Sequence, residues 1–448
     1  MSKIKSVLIV LLSGLAIYLT SQLWFANISS RNFFYSFFLQ TETGDANNEK
    51  SFAWPYRLIT NYGKNVFSIQ YSGMDISKLR ESCDGAISSA LKEGVYLDTR
   101  GLDYAEVFNG PGYIYEYSFN MPLTVFSSIF GRPGFSDKLE YINSVVFLPP
   151  GADGDETHVW MLDEVNMIMS GYAVKSTLLP VSANPEEFYQ EILFESSVLS
   201  AYDLSEKNIF IARFMENGYK YPTVSIINPY VEGELLMGAI EQKVNVFFEN
   251  PSAKLSFMGD NVYTYSDAKT VVKYFQNDVL EYSNYQAGGG DSGILKSFGT
   301  ALGFIKSDSF IQNEYYLADF AQEDDEYVFY FDFVVNNFPL VLPDEYKSSK
   351  IQSGALAIKH AIEIKVKEGN VVNYRKIVYN FMKDASGKIA KLDFKMELAE
   401  DRAILQSNQD VITDIVLGYK IERDMKTDLY WIMRLGDQSH SKSLSRME

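Results

Sequence analysis

Sorted by hydrophobic and polar positions, the chain falls into one long apolar run, a polar gap, and then many short alternating segments. Val7 to Ala26 is twenty residues without a charge; Lys3 and Lys5 precede it and the next charge is Arg31. At a helical rise of about 1.5 Å, such a run spans the ~30 Å hydrocarbon core of a bilayer. The early lysines predict a cytoplasmic N-terminus and an extracellular body, a single-pass protein of the cell membrane. Val7 to Leu19 alone also fits the hydrophobic part of a signal peptide. Thr20-Ser21-Gln22 leading into Leu23-Trp24-Phe25 offers no small-x-small cleavage site, and Trp24 suits the far membrane interface, so a retained anchor is the reading. Thr41 to Ser51 is polar and aperiodic and predicts a flexible stalk.

Beyond residue 52 the pattern is mostly that of strands. Pro55 to Tyr71 predicts two strands turning at Gly63-Lys64-Asn65. Apolar residues at Ile76, Leu79, Cys83, Ala86, Ile87 and Ala90 predict a helix over 75–93, ended by Gly94. Strands are expected at 102–108, 113–119, 145–148, 159–169, 172–179 and 223–227. Asn184-Pro185-Glu186-Glu187 signals a helix running to about Leu199, and 232–242 is expected to be helical. A four-strand meander over 255–282 follows. Next come a helix carrying Ile294, Leu295, Phe298, Leu302 and Ile305, strands at 314–320, 327–335 and 338–342, and a long hairpin over 355–382. A short helix at 398–405 and strands at 411–419 and 429–435 close the body. Strands in runs, flanked by a few helices, predict α+β architecture with mostly antiparallel sheets. The expected division is a cytoplasmic tip and transmembrane helix (1–31), a stalk (32–51), three body units (52–150, 151–249, 250–437) and a tail (438–448).

Composition narrows the function. Forty Lys and Arg against 58 Asp and Glu give a net charge of −18. That excludes a nucleic-acid binder, which needs a basic stripe, and disfavours binding to anionic lipid or wall polymer. One cysteine, Cys83, excludes an internal disulfide framework and a lipidated cysteine at the anchor. Phe and Tyr are unusually many, 31 of each, which again favours sheet.

No catalytic or metal constellation emerges, so an enzyme and a resident cofactor are not expected. His158, His360 and His440 are scattered and belong to no zinc motif. Gly288-Gly289-Gly290-Asp291 lacks the Lys-Ser/Thr of a phosphate loop. Asp153, Asp155 and Glu156 are only a fragment of a calcium loop, and Glu323-Asp324-Asp325-Glu326 reads as a charged turn. In the membrane run, Ser13, Ala16 and Thr20 share one helical face and Gly14 flanks it. Small residues there allow close approach of a second helix, and this stripe is the candidate partner contact.

Several segments resemble the YycH family: the Gln22-Leu23-Trp24 end of the anchor, Trp54-Pro55-Tyr56-Arg57, and Phe247-Phe248-Glu249-Asn250-Pro251 with Gly259 to Asp267 and Leu280-Glu281-Tyr282. The aromatic strand from Tyr327 to Leu340 and the closing Leu417-Gly418-Tyr419 and Leu429-Tyr430-Trp431 strands are also similar to that family. Residues 100–245 carry little of the likeness, and the shorter YycI family shares only the terminal-domain pattern. The resemblance implies a Gram-positive, membrane-anchored, non-enzymatic regulator. It would act with a YycI-type protein on the sensor histidine kinase of a cell-wall two-component system, largely through transmembrane helices. Two other readings remain at this stage: an extracytoplasmic module binding wall fragments or peptides in an aromatic cleft, and a wall hydrolase.

Overall fold

The computed structural model describes residues 50–71, 77–150, 155–175, 178, 180–181, 193–197, 208–213, 219–227, 235–259, 262–275, 278–285, 293–308, 310, 313–343, 346, 357–390, 412–421, 426–435 and 438–443. The predicted anchor and nearly all of the predicted stalk lie outside these residues, as does the helix expected at 398–405. Among the described residues no helix is long and apolar enough to cross a membrane.

The chain first builds β1 (Arg57–Gly63), β2 (Val66–Tyr71), α1 (Ser77–Glu93), β3 (Val95–Gly101) and α2 (Tyr104–Val107). Then follow β4 (Gly112–Pro122), α3 (Leu123–Ile129), β5 (Tyr141–Leu148), β6 (Glu156–Asp163), β7 (Ile168–Lys175), β8 (Leu193–Ser196) and β9 (Phe210–Arg213). The strands form one antiparallel sheet in the order β3-β7-β6-β5-β4-β1-β2-β8-β9. The β1–β2 turn falls where expected: Gly63, Lys64 and Asn65 all have positive φ, and the Asn61 side chain accepts the Gly63 N–H at 2.8 Å. In α1, Cys83, Ala86, Ile87, Ala90 and Leu91 are buried at helical spacing, facing β6 and β7. The helix ends where the Gly94 N–H donates to the Ala90 carbonyl; a Cβ there would sit 2.5 Å from that oxygen.

The rest of the chain builds β10 (Tyr219–Ile227), α4 (Leu235–Val244), β11 (Leu255–Met258), β12 (Val262–Ser266), β13 (Thr270–Phe275), β14 (Val279–Asn284) and α5 (Ile294–Ser307). It continues with β15 (Glu314–Glu323), β16 (Glu326–Val335), β17 (Phe338–Val341), β18 (Ile362–Lys367) and β19 (Asn370–Ile377). The last strands are β20 (Asn380–Ala390), β21 (Ile412–Ile421), β22 (Lys426–Leu435) and β23 (Gln438–Ser443). Their order is β11-β12-β13-β14-β19-β18-β16-β17-β21-β22-β10-β20, with β15 also on β16 and β23 on β22. Among the described residues β17 and β21 make the parallel contact; the other pairs are antiparallel. This sheet narrows sharply at β17, which meets β16 through Val334↔Pro339 and Val335↔Phe338, and β21 through Leu340↔Tyr419 and Val341↔Lys420.

The two sheets share one continuous core. β15 lies against β4, β17 against β2 and β21 against β9. Phe52, fully buried, sits at this junction. Its ring meets Phe119 of β4 at 5.6 Å, Phe298 of α5 at 4.9 Å, Phe320 of β15 at 5.5 Å and Phe329 of β16 at 6.3 Å. Hydrogen bonds tie the same seam: Ser118 Oγ donates to the Leu317 carbonyl at 2.8 Å, and the Tyr71 N–H to Asn337 Oδ1 at 2.9 Å. Farther along β16, Asp332 accepts from the Ala361 N–H at 2.9 Å and pairs with His360 Nδ1 at 3.0 Å, with the imidazole over the Tyr330 ring.

The architecture is α+β and mostly antiparallel, as expected, but the unit boundaries differ. The described residues of 151–249 do not form a sheet of their own. β6 pairs with β5 across the Pro149-Pro150 connection (Leu148↔His158), so β6 to β9 extend the first sheet, whereas β10 joins β20 and β22 in the second. The expected tail supplies β23 on β22. At 102–108 the expected strand is the turn α2, because the Asp103 side chain accepts the Ala105 and Glu106 N–H groups and caps it. The strand expected at 159–169 breaks after Asp163, whose buried carboxylate accepts from the Val165 and Asn166 N–H groups. The helix expected to run to Leu199 is already strand β8 by Leu193. The long hairpin ends at Ile377, where the Val378 N–H donates to the Asp278 carbonyl and the chain leaves for the other half of the sheet.

Phe52→Ala is expected to cost about 3–5 kcal/mol, since it empties a pocket walled by both sheets. Urea unfolding of the full chain in detergent measures it; a loss no larger than that of an exposed substitution contradicts the junction role. For His360, burial works against the charged form, but Asp332, then Glu363 and Asp319, outweigh it and raise the pKa above the ordinary value. The stabilisation is therefore full below about pH 6.5 and fades as pH rises through the raised folded value. Unfolding curves at pH 6 and pH 9 should diverge in the wild type, and the divergence should shrink in His360→Gln.

Candidate functional site

Three charged residues stand alone among apolar and aromatic neighbours: Arg57 at the head of β1, Glu116 inside β4 and Asp414 in β21. Arg57 and Glu116 face each other in the β1–β4 register, so their side chains meet on one face of the sheet. The guanidinium grips the carboxylate in a fork, Nε to Oε2 at 2.8 Å and Nη2 to Oε1 at 2.6 Å. From the second sheet, Asp414 Oδ1 approaches Nη2 to 3.5 Å. The guanidinium also lies 5.4 Å from the Tyr56 ring centre and 5.5 Å from that of Phe210. Arg57 is only 2% exposed. Burial opposes its charge, but Glu116 and then Asp414 outweigh that and hold its pKa above the ordinary value.

Beside this ion pair, where the sheets meet, is a cavity of about 220 Å³. Three carboxylates line it, Glu116, Glu164 and Asp414, and three amides, Asn120, Asn143 and Asn208. Glu164, in the β6–β7 turn, is held by Ser144 Oγ, which donates to Oε1 at 3.1 Å, and by its own N–H, which donates to Asn143 Oδ1 at 2.9 Å. Asn143 Nδ2 in turn donates to Asn120 Oδ1 at 2.6 Å. A row of rings forms another wall: Tyr104 and Phe108 at 5.6 Å, Phe108 and Phe210 at 6.1 Å. Tyr104 is carried into the cavity by α2, the turn that Asp103 caps. Its ring is 6% exposed and its hydroxyl lies near the Glu164 carboxylate and the Asn208 backbone without completing a hydrogen bond to either. Burial, then Glu164 and Glu116, drive its pKa up. The arrangement offers negative charge, acceptors and aromatic faces to whatever enters. Among the described residues no group of three or more His, Cys, Asp or Glu is placed to hold a metal ion.

The residues singled out from sequence fall elsewhere. Ser13, Gly14, Ala16 and Thr20 lie outside the described residues, as do Asp153 and the 288–290 glycines. His158 is exposed on β6, and Cys83 is buried on the inner face of α1. Glu323 to Glu326 turns β15 into β16, where Lys365 and Lys367 pair with Glu323 and Glu326. The cavity residues were missed, although a single charge inside an apolar strand, as in Tyr115-Glu116-Tyr117, is the signal that marks them.

Glu116→Ala leaves the Arg57 charge buried with only the longer Asp414 contact, at 3.5 Å, and is expected to cost about 3–5 kcal/mol. Arg57→Met combined with Glu116→Leu removes both charges and should restore most of that loss. Urea midpoints of the two variants against wild type decide it; a double variant no more stable than Glu116→Ala speaks against a buried pair.

No protein-family model and no curated protein matches the chain. Among solved structures, it is similar to the crystal structure of YycH from Bacillus subtilis, with a TM-score of 0.53 and 11% identity, over 89% of this chain and 97% of that one. An uncharacterized protein from Eubacterium rectale aligns over 53% of this chain and 86% of its own, at 14% identity and a TM-score of 0.33. The C-terminal domain of YpeB from Bacillus megaterium aligns over 47% of this chain and 91% of its own, at 12% identity and a TM-score of 0.26. The fold of this chain is YycH-like.

Proposed function

We propose that this chain is a non-enzymatic accessory regulator, anchored in the cell membrane with its body outside, that modulates the sensor histidine kinase of a cell-wall two-component system. The observation that carries the proposal is the YycH-like fold, which extends over 89% of this chain rather than one motif. The uncharged run from Val7 to Ala26 supports it from the sequence side, because a protein tethered by one helix can reach a membrane kinase laterally. The Ser13, Gly14, Ala16 and Thr20 stripe is the surface by which the anchor would meet the kinase or a YycI-type partner. The acidic chain, at −18 overall, would be held off anionic lipid and leave the helix as the principal contact.

Changing Ser13, Ala16 and Thr20 together to leucine should lower co-purification with the kinase from Gram-positive membranes by roughly threefold or more, the scale of a lost helix contact of about 0.6–2 kcal/mol. Unchanged recovery removes the stripe from the interface. Failure of the wild-type chain to recover any sensor kinase sinks the regulatory reading itself.

A further inference from the structure

The cavity at the sheet junction has a charge balance that the fold does not need. Among the described residues its lining includes Glu116, Glu164 and Asp414 and no lysine or arginine. Arg57, behind Glu116 and Asp414, supplies one positive charge against three carboxylates. In a recess of about 220 Å³ such a field is poorly screened by solvent. Tyr104 is the second sign. Its hydroxyl is buried, lines the same space and, among the described residues, completes no hydrogen bond although Glu164 and the Asn208 backbone lie near, which is costly unless something else completes it.

A bare divalent ion does not fit, since its oxygen ligands must converge to about 2.6 Å from one point. Among the described residues no acidic group is arranged that closely. The acceptors are spread around a space instead, which suits a donor whose N–H groups diverge. The rings of Tyr104 and Phe108 form an aromatic wall that takes either a cation or an alkyl chain. The volume is below the ~300–1,000 Å³ of pockets for drug-sized molecules and matches a side chain. A planar guanidinium prefers a two-oxygen fork of the kind that Glu116 already gives Arg57.

We propose that this cavity binds a primary ammonium on an alkyl stem, such as a lysine side chain or a short alkylamine, with Glu164 and Asp414 holding the charge, Tyr104 accepting one N–H and the Tyr104–Phe108 wall covering the stem. The site stands without the regulatory reading, since such a recess serves a regulator or a wall-binding module equally.

Calorimetry of the full chain in maltoside detergent, at low salt, tests it with pentylamine, 1-pentanol and pentylguanidine. Pentylamine is expected to bind at one saturable site and 1-pentanol not at all. Glu164→Gln should weaken pentylamine by roughly tenfold, the loss of one charge-assisted contact. Tyr104→Phe removes a hydroxyl that completes no hydrogen bond among the described residues, so it should fold as wild type and weaken binding roughly threefold. The proposal is overturned by equal binding of pentanol and pentylamine, by no pentylamine binding at 10 mM-scale concentrations (about 2.7 kcal/mol weaker than 0.1 mM), or by a folded Tyr104→Phe variant that binds unchanged. Tighter binding of pentylguanidine than pentylamine overturns the ammonium assignment.

Discussion

Taking Arg57 out of water is the constraint around which the body is organised. A guanidinium that is 2% exposed is tolerable only where carboxylates meet it with good geometry. One of them, Glu116, lies on the neighbouring strand and comes with the β1–β4 register. The other, Asp414, lies in the second sheet, so the guanidinium gains its second carboxylate only when the sheets are together. Phe52, five residues before, makes the apolar counterpart, with rings from both sheets around it. A short stretch of chain thus carries the polar and the apolar reason for one core rather than two.

Much of the fold was legible because many elements announce themselves locally. The Gly63-Lys64-Asn65 turn, the α1 stripe and the 255–284 meander need only near neighbours to specify them. Errors gathered where a distant partner decides. β8 sits in a segment with helix-start signals upstream, yet Phe194 pairs with Phe67, far back in the chain. β3 has largely exposed side chains, so no alternation marks it, and its backbone pairing with β7 holds it. β10 and β20 pair across more than 150 residues, which is why a middle unit looked separate in sequence and is not.

The cavity was harder still. Arg57, Glu116, Glu164 and Asp414 come from four distant places, and no spacing rule links them. What sequence does carry is the anomaly: a lone ionised residue where the strand is otherwise aromatic or aliphatic. Tyr104 gave no signal, because its position depends on the Asp103 cap converting an expected strand into a turn.

The waist of the second sheet sets how the body yields under load. Long ladders share strain among many hydrogen bonds, but at β17 only two residue pairs on each side bridge the halves. Compliance is therefore expected there and at the equally short β22–β10 contact. The guanidinium of Arg57 does not cross the β17 line; it ties the first sheet to β21, so the half of the second sheet beyond β17 is also held to the body through Asp414.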